Sequence, residues 1–280
     1  MIVAGQLEEK ELVEASGLAR SQRQPGLLWS INDGGSKPRI YALDEHGARV
    51  GRIRLEEARN KDWEDISSFT LGGEPYLLVA DVGDNNARRK KVTLYVVAEP
   101  DLAEDDKVKL EPAWRVNLRF PDGPRDVEAV AVDITNERVV LLTKRDIPPV
   151  LYEVPLRPAA DKTITATRLG AVTTLPAPTR LELEQAMFTK DSHWQPTGMD
   201  LSADGKLAVI LTNRAVYVYR LGSGESLYES LSGRPYGLGL GNFRDAESVA
   251  FSADGNSIFV TVERRHAPLL RIDMNGAIPE

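Results

Sequence analysis

With 280 residues, 42% hydrophobic and 28% charged, the chain has the balance of a globular protein large enough to bury a substantial core. Its net charge of −7 argues against a general nucleic-acid surface, which would be basic, and the absence of cysteine excludes disulfides, thiol nucleophiles and thiolate metal sites. No apolar run approaches the ~20 residues of a membrane-spanning helix, so no membrane span is expected.

Residues 2–7, Ile-Val-Ala-Gly-Gln-Leu, read as a lone strand, and the start Met1-Ile-Val-Ala-Gly lacks the basic, apolar and small-residue pattern of a cleavable leader. A first unit then spans 15–55, with later strands at 27–31, 39–43 and 49–55. The second, 63–120, has strands at 76–80, 93–97 and 114–120, and its acidic stretch 99–111 reads as a surface excursion. The third has strands at 128–132, 139–142 and 150–154 and ends in 167–175. A Pro-bearing connection follows over 176–196, with one helical turn expected at 181–188. The fourth unit has strands at 198–201, 207–211 and 216–219 and an outer strand somewhere in 226–240. The fifth offers only three, at 248–251, 258–262 and 269–272.

The tetrapeptide Ser202-Ala203-Asp204-Gly205 returns unchanged as Ser252-Ala253-Asp254-Gly255, and Asp-Gly tolerates the positive φ of a tight hairpin. Five units of four short strands predict an all-β fold, a five-bladed β-propeller in one domain over 1–280. The N-terminal strand supplies the missing outer strand of the fifth blade and closes the ring, leaving no open edge there.

Each unit opens on one pattern. Asp62-Trp63-Glu64-Asp65-Ile66, Asp126-Val127-Glu128-Ala129-Val130 and Asp245-Ala246-Glu247-Ser248-Val249 are close copies; Glu14-Ala15-Ser16-Gly17-Leu18 and Gln195-Pro196-Thr197-Gly198-Met199 are looser ones. The first strand of a blade lines the central channel, and residues two apart point the same way. Three layers follow: Glu14, Asp62, Asp126, Gln195 and Asp245 at the top; Ser16, Glu64, Glu128, Thr197 and Glu247 below; then an apolar plug of Leu18, Ile66, Val130, Met199 and Val249. Between the last two layers, Gly17, Asp65, Ala129, Gly198 and Ser248 fill the places where blades crowd.

Carboxylates stacked this closely repel one another, by roughly 1 kcal/mol per pair at ~4 Å even in water. Either some are protonated, or Lys61, Arg125 and Arg244 fold over them, or a cation sits among them. The set Ser16, Glu64, Glu128, Thr197 and Glu247 is all oxygen, which suits a hard ion, and calcium's loose coordination better than magnesium's strict octahedron. The bland alternative is a water-filled channel whose carboxylates pair with the neighbouring basic residues.

Loops after the second strands bring Asn32 and Asp33, then Asp81, Asp84 and Asn85, then Lys144 and Arg145, then Asn213 and Arg214, then Glu263 and Arg264 to the same mouth. Guanidinium forks match phosphate or carboxylate, so the ring suits a small anionic ligand; taken singly, charges at loop tips are solvated. Gly83 and Gly34–Gly35 are expected where two of these loops turn. His46, His193 and His266 fall on separate loops without metal-ligand spacing, Trp29, Trp63 and Trp114 read as core, and the basic run 88–91 reads as a solvated face.

Trp63-Glu64-Asp65-Ile66, Ala80-Asp81-Val82-Gly83-Asp84-Asn85-Asn86 and Arg125-Asp126-Val127-Glu128 resemble, over nearly the whole chain, a bacterial family of largely uncharacterised propeller proteins. More distantly the chain is similar to the calcium-activated nucleotidases of the apyrase type, five-bladed propellers with a calcium ion in the channel. That resemblance places Ser16, Glu64, Glu128, Thr197 and Glu247 at the ion. Where those enzymes have an Asp-Asp-Arg-Thr-Gly-like second strand, this chain has Ile31-Asn32-Asp33-Gly34-Gly35, and the missing arginine separates the implied ion site from the implied nucleotidase activity.

Three functions remain open at this point. One is metal-dependent hydrolysis of a phosphoanhydride or phosphoester, with Arg145, Arg214 and Arg264 neutralising charge and Asp33 or Asp81 as general base. Another is glycoside hydrolysis by two mouth carboxylates. The third is a non-catalytic ligand-binding or scaffold propeller with a structural ion. Low-affinity calcium sites suit calcium-rich surroundings, so an extracytoplasmic location is expected.

Overall fold

A computed structural model describes residues 1–103, 106–159, 162–189 and 192–274. The chain begins with β1 (Ile2–Gln6) and then lays down blade one as β2 (Ala15–Arg20), β3 (Leu27–Asn32), β4 (Arg39–Asp44) and β5 (Arg49–Leu55). Blade two takes β6 (Trp63–Leu71), β7 (Glu74–Asp81) and β8 (Val92–Ala98). The chain then leaves to add β9 (Lys107–Leu110) in parallel to β5, and returns as β10 (Trp114–Arg119). The acidic excursion thus contains a strand that widens blade one. Its alternating Lys-Val-Lys-Leu follows the half-exposed pattern of an edge.

Blade three is β11 (Val127–Asp133), β12 (Arg138–Thr143) and β13 (Val150–Pro155), then β14 (Ile164–Thr165), which pairs in parallel with β10, and the outer strand β15 (Thr167–Ala171). The connection folds as α1 (Arg180–Thr189), the expected helix with slightly wider bounds. Blade four is β16 (Pro196–Leu201), β17 (Leu207–Thr212) and β18 (Ala215–Arg220), then a short helix α2 (Leu227–Leu231) and β19 (Tyr236–Gly239). Blade five is β20 (Ala246–Phe251), β21 (Ser257–Val262) and β22 (Pro268–Asp273). Strand β1 completes it by pairing antiparallel to β22, from Ile2 opposite Arg271 to Gln6 opposite Pro268. The protein is a five-bladed β-propeller closed by its N-terminal strand.

Packing follows from where each strand sits. The second strands are covered on both faces by neighbouring blades, so β3, β12, β17 and β21 read as nearly unbroken apolar runs. The outer strand β5 instead alternates between buried and exposed. The core lies between blades: one cluster joins blades one and two through Trp29, Trp63 and Ile66, and another joins two and three through Val130 and Tyr152. A third joins three and four through Met199, and the largest joins four, five and one through Leu18 and Val249.

Those memberships revise the expected layers. Leu18, Ile66, Val130, Met199 and Val249 do not plug the channel; they pack outward between blades. The cause is a β-bulge in every first strand, between Trp63 and Asp65, Val127 and Ala129, Pro196 and Gly198, and Ala246 and Ser248, and one residue later in blade one, between Ser16 and Leu18. A bulge sets two residues against one and breaks the two-residue alternation. Gly17, at φ +88°, supports it in blade one, and a Cβ there would meet the Asp65 backbone.

The freed position below the carboxylates belongs to Asp65. Fully buried, its Oδ2 accepts from Val130 N at 2.8 Å and Met199 N at 3.3 Å, while Oδ1 accepts from Ile66 N. One carboxylate thereby ties blade two to blades three and four. Burial pushes its pKa well up, against these three donors. Hydroxyls stitch other seams: Ser16 Oγ donates to Glu64 O at 2.6 Å, Ser67 Oγ to Val130 O, Thr197 Oγ1 to Ala246 O at 2.6 Å and Ser248 Oγ to Ala15 O. At the opposite end the buried Arg20–Asp200 pair (3.0 Å) joins blades one and four. No helix among the described residues is long and apolar enough to cross a membrane.

Candidate metal centre at the channel mouth

Where the first two strands of a blade end at the mouth, a further backbone bond extends the ladder. Asp33 N donates to Glu14 O, Gly83 N to Asp62 O, Lys144 N to Asp126 O and Glu263 N to Asp245 O. In four blades a residue one or two places past the second strand is thereby tied to the start of the first. These residues and the bulge residues together enclose a cup of about 190 Å³ lined by Ser16, Glu64, Glu128 and Glu247 from the first strands and Asp33, Asn85, Lys144 and Glu263 from the loops. No aromatic ring lines it.

Ligand-type oxygens concentrate on one side of this cup. Those of Asp33, Asp62 and Glu64 lie within 4.8 Å of one another, and so do those of Glu64, Asp126 and Glu128. Glu64 belongs to both groups. It is 5% exposed. Gly83 and Gly34 make room for it: a Cβ on Gly83 would overlap the Glu64 and Asp62 carboxylates, and one on Gly34 would press on Asp62. These two glycines serve close approach, while Gly35 at φ +79° makes the turn.

Partial compensation comes from basic residues other than those first considered. Lys144 Nζ donates to Glu128 Oε2, Arg145 Nε to Asp126 Oδ2 at 2.5 Å, and Arg89 Nη2 to Asp81 Oδ1 at 2.7 Å. Arg125 instead faces Asp122, Asp146 and Tyr152 on the outer part of blade three, and Arg244 is exposed. Lys61 acts on Asp81 only through its field. Lys144 and Arg145 face more carboxyl groups than they can pair with: Asp33, Asp62, Glu64, Asp126, Glu128, Glu247 and Glu263.

The titration behaviour follows. Burial, then the neighbouring Asp33 carboxylate, pushes Asp62 up to about 6. Burial pushes Glu128 up to about 7 against the pull of Lys144. Glu64 and Glu247 are held well above the usual carboxylate range, first by burial and then, in each case, by Glu128, whose own carboxylate lies close by. Burial works against the Lys144 ammonium, but Glu247, Glu128 and Glu64 outweigh it and hold its pKa above the ordinary lysine value.

The remaining expected site residues separate into several settings. Thr197 is buried, its hydroxyl spent on Ala246 O, and it does not line the cup. Ser16 lines it while donating to Glu64 O. Asn32 braces the first loop, accepting from Val13 N and Glu14 N and donating to Glu11 O. Asp81 accepts from Asp62 N and Arg89, and Asp84 accepts from Arg89 N while its own N–H donates to Asp126 Oδ1 at 2.8 Å. Asp81 is thus an ion-paired support, and Arg89, read as part of a solvated run, is its brace. Asn85 accepts from Arg145 and lines the cup. Asn213 donates to Ser192, and its buried Oδ1 has no partner among the described residues. Arg214 and Arg264 do not line the cup.

Asp65 was the residue that layer counting missed. Its signal was a charge at a bulge position where the other blades carry Gly, Ala, Gly and Ser.

No protein-family model matches the chain, and no curated protein matches its sequence. Solved structures with a similar course include the β-propeller domain of Myceliophteria thermophila Cps50 (Swd1). It is 14% identical, with 97% of this chain and 75% of that one covered and a TM-score of 0.44. The RRP9 WD40 repeats are 14% identical, covering 91% of this chain and 67% of theirs at a TM-score of 0.41. A chain of the nidogen/laminin complex is 12% identical, covering 95% and 78% at a TM-score of 0.46.

Proposed function

We propose that the protein binds a hard divalent cation, calcium, in the cup and acts there as a hydrolase on a small anionic ester or anhydride. The observation that carries this reading is Glu64: a buried residue whose carboxylate is shared by two clusters of close carboxylate oxygens. The donor set is oxygen only, without His or Cys, and suits a hard ion. The centre of the site lies toward blades one to three rather than on the five-fold axis. Asp62, Glu64, Asp126 and Glu128 would hold the ion, with Ser16 and Glu247 at its edge and Asp33 beside it at the rim.

Bound there, the cation supplies Lewis-acid polarisation of a phosphoryl or carbonyl oxygen. The chain supplies the rest. Lys144 and the half-exposed Arg145 meet the ligand's negative charge, Asn85 orients it, and Asp33 at the rim accepts a proton from the attacking water. The absence of an aromatic ring in the cup disfavours glycoside hydrolysis, whose sugars stack on such rings.

The test uses chelator-treated protein, with melting followed with and without calcium or magnesium. Nucleotides, sugar phosphates and glycosides are then screened under the same conditions. The reading predicts calcium-dependent stabilisation and calcium-dependent turnover of a phosphorylated substrate, both lost in Glu64→Gln. Stabilisation without turnover makes the ion structural and the protein a ligand-binding propeller. Melting that ignores calcium removes the site.

A further inference from the structure

The first strands begin at the cup and end, on the opposite face of the ring, at a separate and larger cavity of about 690 Å³. Its walls come from the ends of β2, β6 and β16, the β11–β12 and β16–β17 hairpins, and the loop between β18 and α2. Arg20 and Asp200, the buried pair that joins blades one and four, form part of the lining. The volume lies within the roughly 300–1,000 Å³ of a site that encloses a small molecule.

Charge in this cavity is matched internally. Arg20 Nη1 donates to Asp200 Oδ2 at 3.0 Å, and Phe251 N and Leu201 N donate to the same carboxylate. Lys206 Nζ pairs with Asp204 at 3.2 Å, and Ser202 Oγ donates to that carboxylate at 2.7 Å. Asp133 accepts from the backbone and side-chain nitrogens of Asn136, and Glu225 accepts from Ser230 Oγ at 3.0 Å. Those six are the charged side chains of the lining. The rest of its polar surface is hydroxyl and amide. Gln22 Nε2 donates to Ser68 Oγ at 2.9 Å, Gln22 Oε1 accepts from Thr70 Oγ1 at 3.4 Å, and Thr135 and Ser223 are exposed on a turn and a loop. A hydroxyl that accepts one bond keeps its own proton and a second lone pair, so it can still exchange water for a ligand hydroxyl. Phe69, Ile134 and Leu221 add apolar lining.

We infer that this cavity binds a small neutral saccharide of one or two rings, its hydroxyls bonded to the serine, threonine and amide groups of the wall. A charged ligand would lose hydration beside charges that already have partners, a cost that nothing in the lining offsets. A polyol instead exchanges bonds to water for bonds to side chains. Hydroxyls interspersed with apolar lining also match a sugar's own mixture of O–H groups and C–H faces. The inference stands independently of the cation in the cup, since the two openings lie on opposite faces of the ring.

Saturation-transfer difference NMR on the full chain in chelator screens glucose, maltose, cellobiose and lactose, with glucosamine and glucuronic acid as charged comparators. At least one neutral sugar should give a saturable signal, and both charged sugars should bind more weakly than it does. Ala203→Trp and Thr135→Trp each place a ring on an exposed turn of the cavity wall and should abolish that signal without shifting the melting temperature. Ser68→Ala should weaken the sugar about three- to tenfold, the worth of one hydrogen bond. Glu64→Gln, in the cup, should leave sugar binding unchanged. The inference is overturned if none of the four neutral sugars binds saturably, or if a charged comparator binds as tightly as the best of them. Parent-like binding in either tryptophan variant, or loss of binding in Glu64→Gln, also overturns it.

Discussion

Replacing Lys144 with methionine removes the ammonium inside the cup while keeping most of its apolar stem. The side chains of Lys144 and Glu128 are 14% and 5% exposed, so the pair is a buried one, and Glu64 and Glu247 also lean on that charge. Breaking a buried pair by removing one partner costs about 3–5 kcal/mol, because the other charge is left without compensation. At about 2–4 °C per kcal/mol for a chain of this size class, melting in chelator at pH 7.5 should fall by on the order of 10 °C. Two conditions should restore stability. Acidification should shrink the deficit, because Glu128, without the downward pull of Lys144, takes up a proton even more readily than in the parent, where its pKa is already raised to about 7. Calcium should also shrink it, giving ~2.7 kcal/mol at a hundredfold excess over Kd, and should bind the variant more tightly than the parent because a repelling cation has gone. Differential scanning calorimetry in chelator and in calcium measures all three effects. A variant that melts with the parent at pH 7.5 in chelator would refute the electrostatic account of the cup.

Acidic titration of the unaltered protein should show the same physics. The folded pKa values of Glu128 (about 7) and Asp62 (about 6) lie above their ordinary 4.5 and 3.8, so the folded state binds more protons in between. Their contribution to stability is fully present below the ordinary values and lost as pH rises through about 6 to 7. Melting in chelator should therefore rise on going from pH 8 to pH 5, and calcium's stabilisation should shrink over the same range as protons compete for its ligands. Deleting residues 1–7 should lower the melting temperature markedly, since it unpairs β22 and removes the fully buried Leu7; a truncated chain that melts normally would contradict closure by β1. Asp65→Ala should destabilise more than any single cup substitution, because three backbone N–H groups lose an acceptor at about 1–3 kcal/mol each; Asp65→Asn, which keeps one oxygen, should cost less.

The blades were legible because their signals are local. Ser-Ala-Asp-Gly fixes two hairpins, the aliphatic runs of the second strands announce burial on both faces, and the opening pattern marks each unit. Closure by residues 2–7 followed from counting strands. The outer parts were less legible, since β9 and β14 attach to neighbouring blades through short parallel pairings that leave no turn signal between partners. In the channel, counting by twos failed at the bulges, whose extra residue turns Asp65 inward and Ile66 outward. Sequence neighbours also misled on charge. Arg125 adjoins Asp126 along the chain but points to blade three's exterior, while Arg145, nineteen residues on, reaches Asp126 across the β11–β12 pair.

Calorimetric titration of calcium into chelator-treated protein, run in parallel on Glu64→Gln and Glu247→Gln, tests the off-centre cation site most directly. The account predicts one calcium per chain in the parent, no saturable binding in Glu64→Gln because both oxygen clusters lose their shared member, and retained, weaker binding in Glu247→Gln. A parent without binding heat at any calcium concentration, or a Glu64→Gln variant that binds like the parent, would contradict it.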